Sequence, residues 1–183
     1  MSDLEVGAMR ALVVYESMFG NTQAIAEAIA DGLGARMEVD VMEVSTAPTA
    51  LTEDIRLLVI GGPTHAFGLT RPATRRDAVD RSGRGVVSAG IGLREWLDGI
   101  HDVPPGTAAA AFDTRVDKRW AGSAARAAHK RLRRLGFQLA ASPQSFSVAD
   151  VTGPLVAGEQ LRARQWAEQL AAGTVERETS VGR

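Results

Sequence analysis

The sequence predicts an α/β domain whose parallel sheet is covered by helices on both faces. Short apolar runs alternate with helical patterns along the chain. Leu57-Leu58-Val59-Ile60 is continuously apolar, as in a strand buried on both faces. The first apolar run also passes straight into a helix through a short turn. In order, Ala11 to Tyr15 reads as the first strand, and Ile25, Ile29 and Leu33 then recur at helical spacing. Gly32-Leu33-Gly34 lies at the end of that helix and not after a strand, so it reads as a helix stop and not as a dinucleotide fingerprint. Met37, Val39 and Val41 alternate with polar neighbours, and Met42 and Val44 continue the run, which suits an edge strand. Thr107 to Phe112 is the fourth strand, light because it contains four consecutive alanines. The fifth is split around Ser142-Pro143, with Phe137 to Ala140 before it and Ser145 to Val148 after. Two late helices carry apolar stripes, one of Ala125, Ala128, Leu132 and Leu135, the other of Ala163, Trp166, Ala167 and Leu170.

A chain of 183 residues that is 45% hydrophobic supports one core, expected over residues 9–173, with 1–8 and 174–183 as mobile tails. The absence of cysteine excludes disulfides, thiolate metal sites and thiol catalysis. No apolar run of about 18 residues or more is present, so no membrane span is expected. The first eight residues lack the regions of a signal peptide, and a cytoplasmic location is the expectation. A net charge of −1 argues against nucleic acid as a partner. Other doubly wound readings fail on residues: there is no Gly-Lys-Ser/Thr triplet, no Gly-x-Ser-x-Gly, and no aspartate ending the third strand, where Gly61-Gly62-Pro63 stands.

The candidate site begins at Tyr15-Glu16-Ser17-Met18-Phe19-Gly20-Asn21-Thr22. This turn between strand and helix is rich in small and hydroxylated residues and contains no lysine or arginine. Such a turn aims backbone N–H groups and the positive end of a helix dipole at one spot, which suits a phosphate held by amides and by Ser17, Asn21 and Thr22. The plain alternative is an ordinary N-cap turn. Ser17-x-x-Gly20-Asn21-Thr22 resembles the phosphate loop of the flavodoxins, Thr/Ser-x-Thr-Gly-x-Thr, with Phe19 where that family usually has a hydroxyl residue. The resemblance implies a flavodoxin-like three-layer sandwich with a five-stranded parallel sheet of order 2-1-3-4-5. It also implies FMN as cofactor, with Ser17, Met18, Phe19, Gly20, Asn21 and Thr22 around its phosphate.

Two further loops follow the right strands. Pro63-Thr64-His65-Ala66-Phe67-Gly68 resembles the first loop that clamps the flavin ring in this family, with Phe67 near a stacking position. Phe112 to Trp120 corresponds to the second by place, and offers Asp113, Thr114, Arg115 and Trp120. Phe67 and Trp120 can equally pack on protein, and His65 can orient its loop or touch the ring edge. The basic stretch His129 to Arg134 reads as a solvated helix face, with docking of an acidic partner as the sharper alternative. The Gly-rich segment Ser82 to Gly92 is either a flap by the site or a long surface loop. No triad or carboxylate pair stands out, which fits redox chemistry carried by a cofactor. FMN-dependent electron transfer to a redox partner protein or small-molecule acceptor is the favoured function. An FMN-dependent NAD(P)H:quinone-type oxidoreductase and a flavin-free binding module remain as alternatives.

Overall fold

Strand and helix alternate from the first element to the last, in the order β1 (Arg10–Tyr15), α1 (Asn21–Leu33), β2 (Glu38–Glu43), β3 (Ile55–Pro63), α2 (Pro72–Ser82), α3 (Leu93–Gly99), β4 (Ala108–Val116), α4 (Ala124–Leu135), β5 (Gln138–Leu139), β6 (Gln144–Val148) and α5 (Glu159–Val181). The computed structural model describes residues 9–118 and 122–181. All named strand pairs are parallel, and the sheet runs β2-β1-β3-β4, with β5 and β6 both pairing with β4. The expected order 2-1-3-4-5 is therefore present, the fifth position being shared by the two halves of the split strand. Among the described residues no helix is long and apolar enough to cross a membrane.

Alternation along the strands divides the core in two. Val13, Leu57, Val59, Ala110 and Phe112 face α1 and α5, and Leu12, Val14, Leu58, Ile60, Ala109 and Ala111 face α3 and α4. The alanines of β4 are fully buried, so they are small because helices press on both faces. Gly32 explains the contact of α1 with α5: a Cβ there would overlap the Arg164 carbonyl, so the sequence near that helix stop also sets how closely the two helices cross. Phe112, Phe146 and Trp166 stack edge to face with centroids 6.2 Å apart in each pair, filling the layer under the end of β4.

Two expected boundaries are corrected. β4 does not stop at Phe112 but continues to Val116, because β6 supplies ladder partners from Phe112 to Val116. Asp113, Thr114 and Arg115 are thus strand residues with alternating directions and not loop residues. At the other end, residues 174–181 are helical where a tail was expected. Thr174 is buried and donates to the Leu170 carbonyl at 2.8 Å, and Arg56 Nε donates to Glu178 Oε1 at 3.0 Å, which anchors this extension on β3. The expected tail at 1–8 lies outside the described residues.

Candidate functional site

Every βα connection on this sheet emerges at the same edge, so the turn after β1, the loops after β3 and β4 and the loop after β6 converge. The turn after β1 is folded by its own atoms. Gly20 is the N-cap of α1 at φ +86°, a left-handed conformation that glycine adopts at least cost, and its N–H donates to Ser17 Oγ at 3.1 Å. Ser17 N–H donates to Ser88 Oγ at 2.9 Å. The amides of Met18, Phe19, Asn21 and Thr22 donate to no acceptor among the described residues, the last two being orphans of the first helical turn. Their residues line a 70 Å³ hollow together with Ser17, Thr64, Thr114 and Arg115.

The three polar side chains of the turn are engaged with protein. Ser17 Oγ accepts from Gly20, Asn21 Nδ2 donates to the Thr152 carbonyl at 3.2 Å, and Thr22 Oγ1 shares a 2.7 Å hydrogen bond with Thr114 Oγ1. The amides are therefore the principal donors left open. The segment after α2, expected as flap or loop, is docked on this turn: Val87 N–H donates to Met18 O and Ser88 N–H to Ser17 O at 3.0 and 2.8 Å.

Glu16, which immediately precedes the turn, is fully buried. Its carboxylate accepts from Thr70 Oγ1 and, at 2.8 Å, from Leu93 N–H. Arg75 donates to Thr70 Oγ1 at 3.0 Å and to both oxygens of Glu95, whose Oε2 also accepts from Gly92 N–H. One buried carboxylate thus ties the turn to the loop after β3 and to α2 and α3. Burial pushes the Glu16 pKa up, against the hydrogen bonds from Thr70 and Leu93 and the Arg75 charge, which pull it down.

The loop after β3 makes a tight turn in which His65 and Gly68 exchange backbone hydrogen bonds of 2.9 and 3.0 Å. Ala66 and Phe67 occupy it at φ +42° and +73°, an uncommon conformation for side-chain-bearing residues. Phe67 is 73% exposed at the tip. Its backbone bridges to Gly122, where a Cβ would overlap the Phe67 carbonyl, and Arg115 Nη1 donates to Gly122 O at 2.6 Å. The two loops expected on either side of a ring therefore touch each other at this point. Asp113 is buried beneath them: its Oδ2 accepts from Thr64 Oγ1, Ser123 Oγ and Ala125 N–H at 3.0, 2.6 and 2.9 Å, closing the N-terminus of α4. Trp120, the other expected aromatic, lies outside the described residues.

Beside the amide hollow is a 290 Å³ cavity that shares Phe19, Thr64, His65 and Val151 with it and is walled by α2 through Thr74, Asp77, Ala78 and Arg81. Burial first, then the charge of Arg81, hold His65 below the usual imidazole range, so its ring is neutral at pH 7. Pro63, Thr64 and His65 line this region with the turn residues, whereas Phe67 and Gly68 line neither space. Sequence reasoning gave Glu16 and Ser88 no role of their own and missed Arg81, Val151 and Thr152. The last two follow β6, and the rule that all such loops share one edge was the signal that pointed to them.

The family model described as flavodoxin matches residues 13–97, from β1 into α3. The chain has a flavodoxin-like fold. Its fold is similar to that of a flavodoxin from the domain Archaea, at 18% identity and a TM-score of 0.62, covering 91% of this chain and 99% of that one. Oxidised Flavodoxin 1 from Bacillus cereus is similar at 17% identity and TM-score 0.62, with 89% and 97% covered. Rubredoxin oxygen:oxidoreductase from Desulfovibrio gigas is similar at 16% identity and TM-score 0.57, over 91% of this chain and 36% of that one. No match was found among curated proteins. In the flavodoxin-like frame, the amide turn lies between β1 and β3, where the sheet order reverses.

Proposed function

We propose that this protein binds FMN and transfers electrons between a redox partner protein or small acceptor and that cofactor. The observation that carries the reading is the turn after β1: four open amides at a helix N-terminus belong to residues that line a hollow at the switch point. The amides of Met18, Phe19, Asn21 and Thr22 would hold the phosphate, and Ser17 and Gly20 keep the turn in shape. The Thr22–Thr114 hydroxyl pair fixes the first turn of α1 against β4. Thr64, His65 and Phe19 wall the adjoining cavity, with Pro63 at the amide hollow beside it, and a ring there would be shielded from water and would meet a neutral imidazole. Phe67 and Gly68 would border the ring from the loop tip, with Asp113, Arg115 and Trp120 contributing through the second loop. When bound, FMN supplies the redox chemistry, and the protein supplies position and electrostatics.

A second reading, a flavin-free binding module, is favoured by the Phe67–Gly122 bridge, which closes the two loops on each other. The absorption spectrum of the purified protein separates the two. Flavin bands that bleach on dithionite titration, with FMN released on denaturation, are expected. A colourless protein that takes up no FMN on incubation would establish the binding module.

A further inference from the structure

α4 carries Arg126, Lys130, Arg131, Arg133 and Arg134 and no aspartate or glutamate, whereas α2, α3 and α5 each mix the two signs. Arg131 is paired with Asp98 of α3. Arg126, Lys130, Arg133 and Arg134 are exposed and join no ion pair among the described residues. Their spacing of i, i+4, i+7 and i+8 sets them on one stripe, opposite the buried Ala125, Ala128 and Leu132. Like charges at that spacing repel, so the stripe costs the isolated helix stability. The helix dipole favours Arg133 and Arg134 in the last turn, but it opposes Arg126 in the first. Such a stripe fits an anionic partner.

Three observations favour a protein over a nucleic acid or a membrane. The chain as a whole is at −1, so the positive charge is local to this face. Arg134 lines a 320 Å³ hollow between α3 and α4 together with Leu97 and Leu135, which suits an apolar side chain beside an acidic one. α4 exposes no large apolar side chain for insertion into a bilayer. The face also begins at the candidate site. Thr64 Oγ1 accepts from Ala124 N–H and Ser123 Oγ from Arg126 N–H, and Phe67 is bridged to Gly122 just before the helix. At 1.5 Å per residue the stripe runs about 12 Å, well within the footprint of one protein on another. We propose that the outer face of α4 docks an acidic protein, whose carboxylates meet Arg126, Lys130, Arg133 and Arg134 and whose body reaches the loop that carries Phe67. That this protein is the redox partner rests on the electron-transfer reading; the docking itself does not.

The test is a titration of the isotope-labelled full chain with an acidic 2Fe–2S ferredoxin as probe, read by amide NMR shifts at low salt and at about ten-fold higher salt. Two triple variants accompany the wild type. Arg126→Gln/Lys130→Gln/Arg133→Gln strips the stripe, and Arg36→Gln/Arg76→Gln/Arg164→Gln removes the same charge from exposed positions elsewhere. The wild type is expected to shift at residues 124–135 and at Phe67, and to bind roughly ten-fold more weakly at the higher salt. The stripe variant should lose roughly ten-fold in affinity at low salt, and the control variant less than about three-fold. An unchanged amide spectrum away from α4 shows that the stripe variant is folded. No binding at low salt, shifts away from α4, or an equal loss in both variants would overturn the docking. Tighter binding of duplex DNA or of phosphatidylserine vesicles than of ferredoxin would overturn it as well. The shifts are read with or without flavin, so failure of the docking and failure of FMN uptake are separate results.

Discussion

Removing the Glu16 carboxylate should both destabilise the fold and loosen the phosphate turn. Glu16→Ala leaves Leu93 N–H and Thr70 Oγ1 buried without their acceptor. At about 1–3 kcal/mol for each such group, the loss is roughly 2–6 kcal/mol, a large share of the 5–15 kcal/mol that holds an ordinary domain together. Glu16→Gln keeps the shape and one acceptor oxygen, and should cost less, about 1–3 kcal/mol. The two variants differ further in pH dependence. Burial raises the Glu16 pKa above 4.5, so in the window between that value and the raised one the folded state retains a proton that the unfolded state has released. Stability therefore falls as pH rises through the window, and the cost of burying the charge is fully present above it. Glutamine does not titrate, so the stability gap between wild type and Glu16→Gln should narrow as pH rises. Urea unfolding followed by far-ultraviolet circular dichroism from pH 4.5 to 8 measures both effects. A Glu16→Ala variant within about 0.5 kcal/mol of wild type, the level of an ordinary surface substitution, would refute the network. So would a Glu16→Gln gap that does not move with pH.

Thr22→Val should lose about 1–3 kcal/mol because Thr114 Oγ1 is left buried without its partner, and the Thr22→Val/Thr114→Val double variant should recover part of it; a double-mutant cycle by urea unfolding reads the coupling. Gly122→Ala should destabilise by roughly 1–3 kcal/mol, since the residue sits at φ +69° and its new Cβ would meet the Phe67 carbonyl; thermal unfolding would show it. Phe67→Ala, at a side chain 73% exposed, should change stability by less than about 0.5 kcal/mol, so any loss of flavin fluorescence quenching in that variant reports ring contact and not unfolding.

Much of the fold was legible because its signals are local. The continuous run Leu57 to Ile60 announced a strand buried on both faces, and the split at Ser142-Pro143 announced the divided fifth position. The end of β4 was not legible, because Asp113, Thr114 and Arg115 are polar and become strand only through pairing with β6, a partner about 30 residues away. The helical end of the chain was missed for a similar reason: residues 174–181 carry little apolar periodicity, and the Arg56–Glu178 contact that secures them spans 122 positions. At the site, the turn from Ser17 to Thr22 could be read from composition. What its side chains do could not, since Thr22 and Asn21 find partners in Thr114 and Thr152 on distant strands and loops. Arg81 belongs to a helix of low apolar content whose last turn the fold happens to place against Phe19.

The most direct test of the central claim is the affinity of the purified, flavin-stripped protein for FMN and for riboflavin, read by fluorescence quenching. The two ligands differ only in the phosphate that the amides of Met18, Phe19, Asn21 and Thr22 would hold. Two or more charge-assisted hydrogen bonds predict that FMN binds at least about a hundred-fold more tightly. Equal affinities for the two would contradict the assignment of the turn after β1 as a phosphate site.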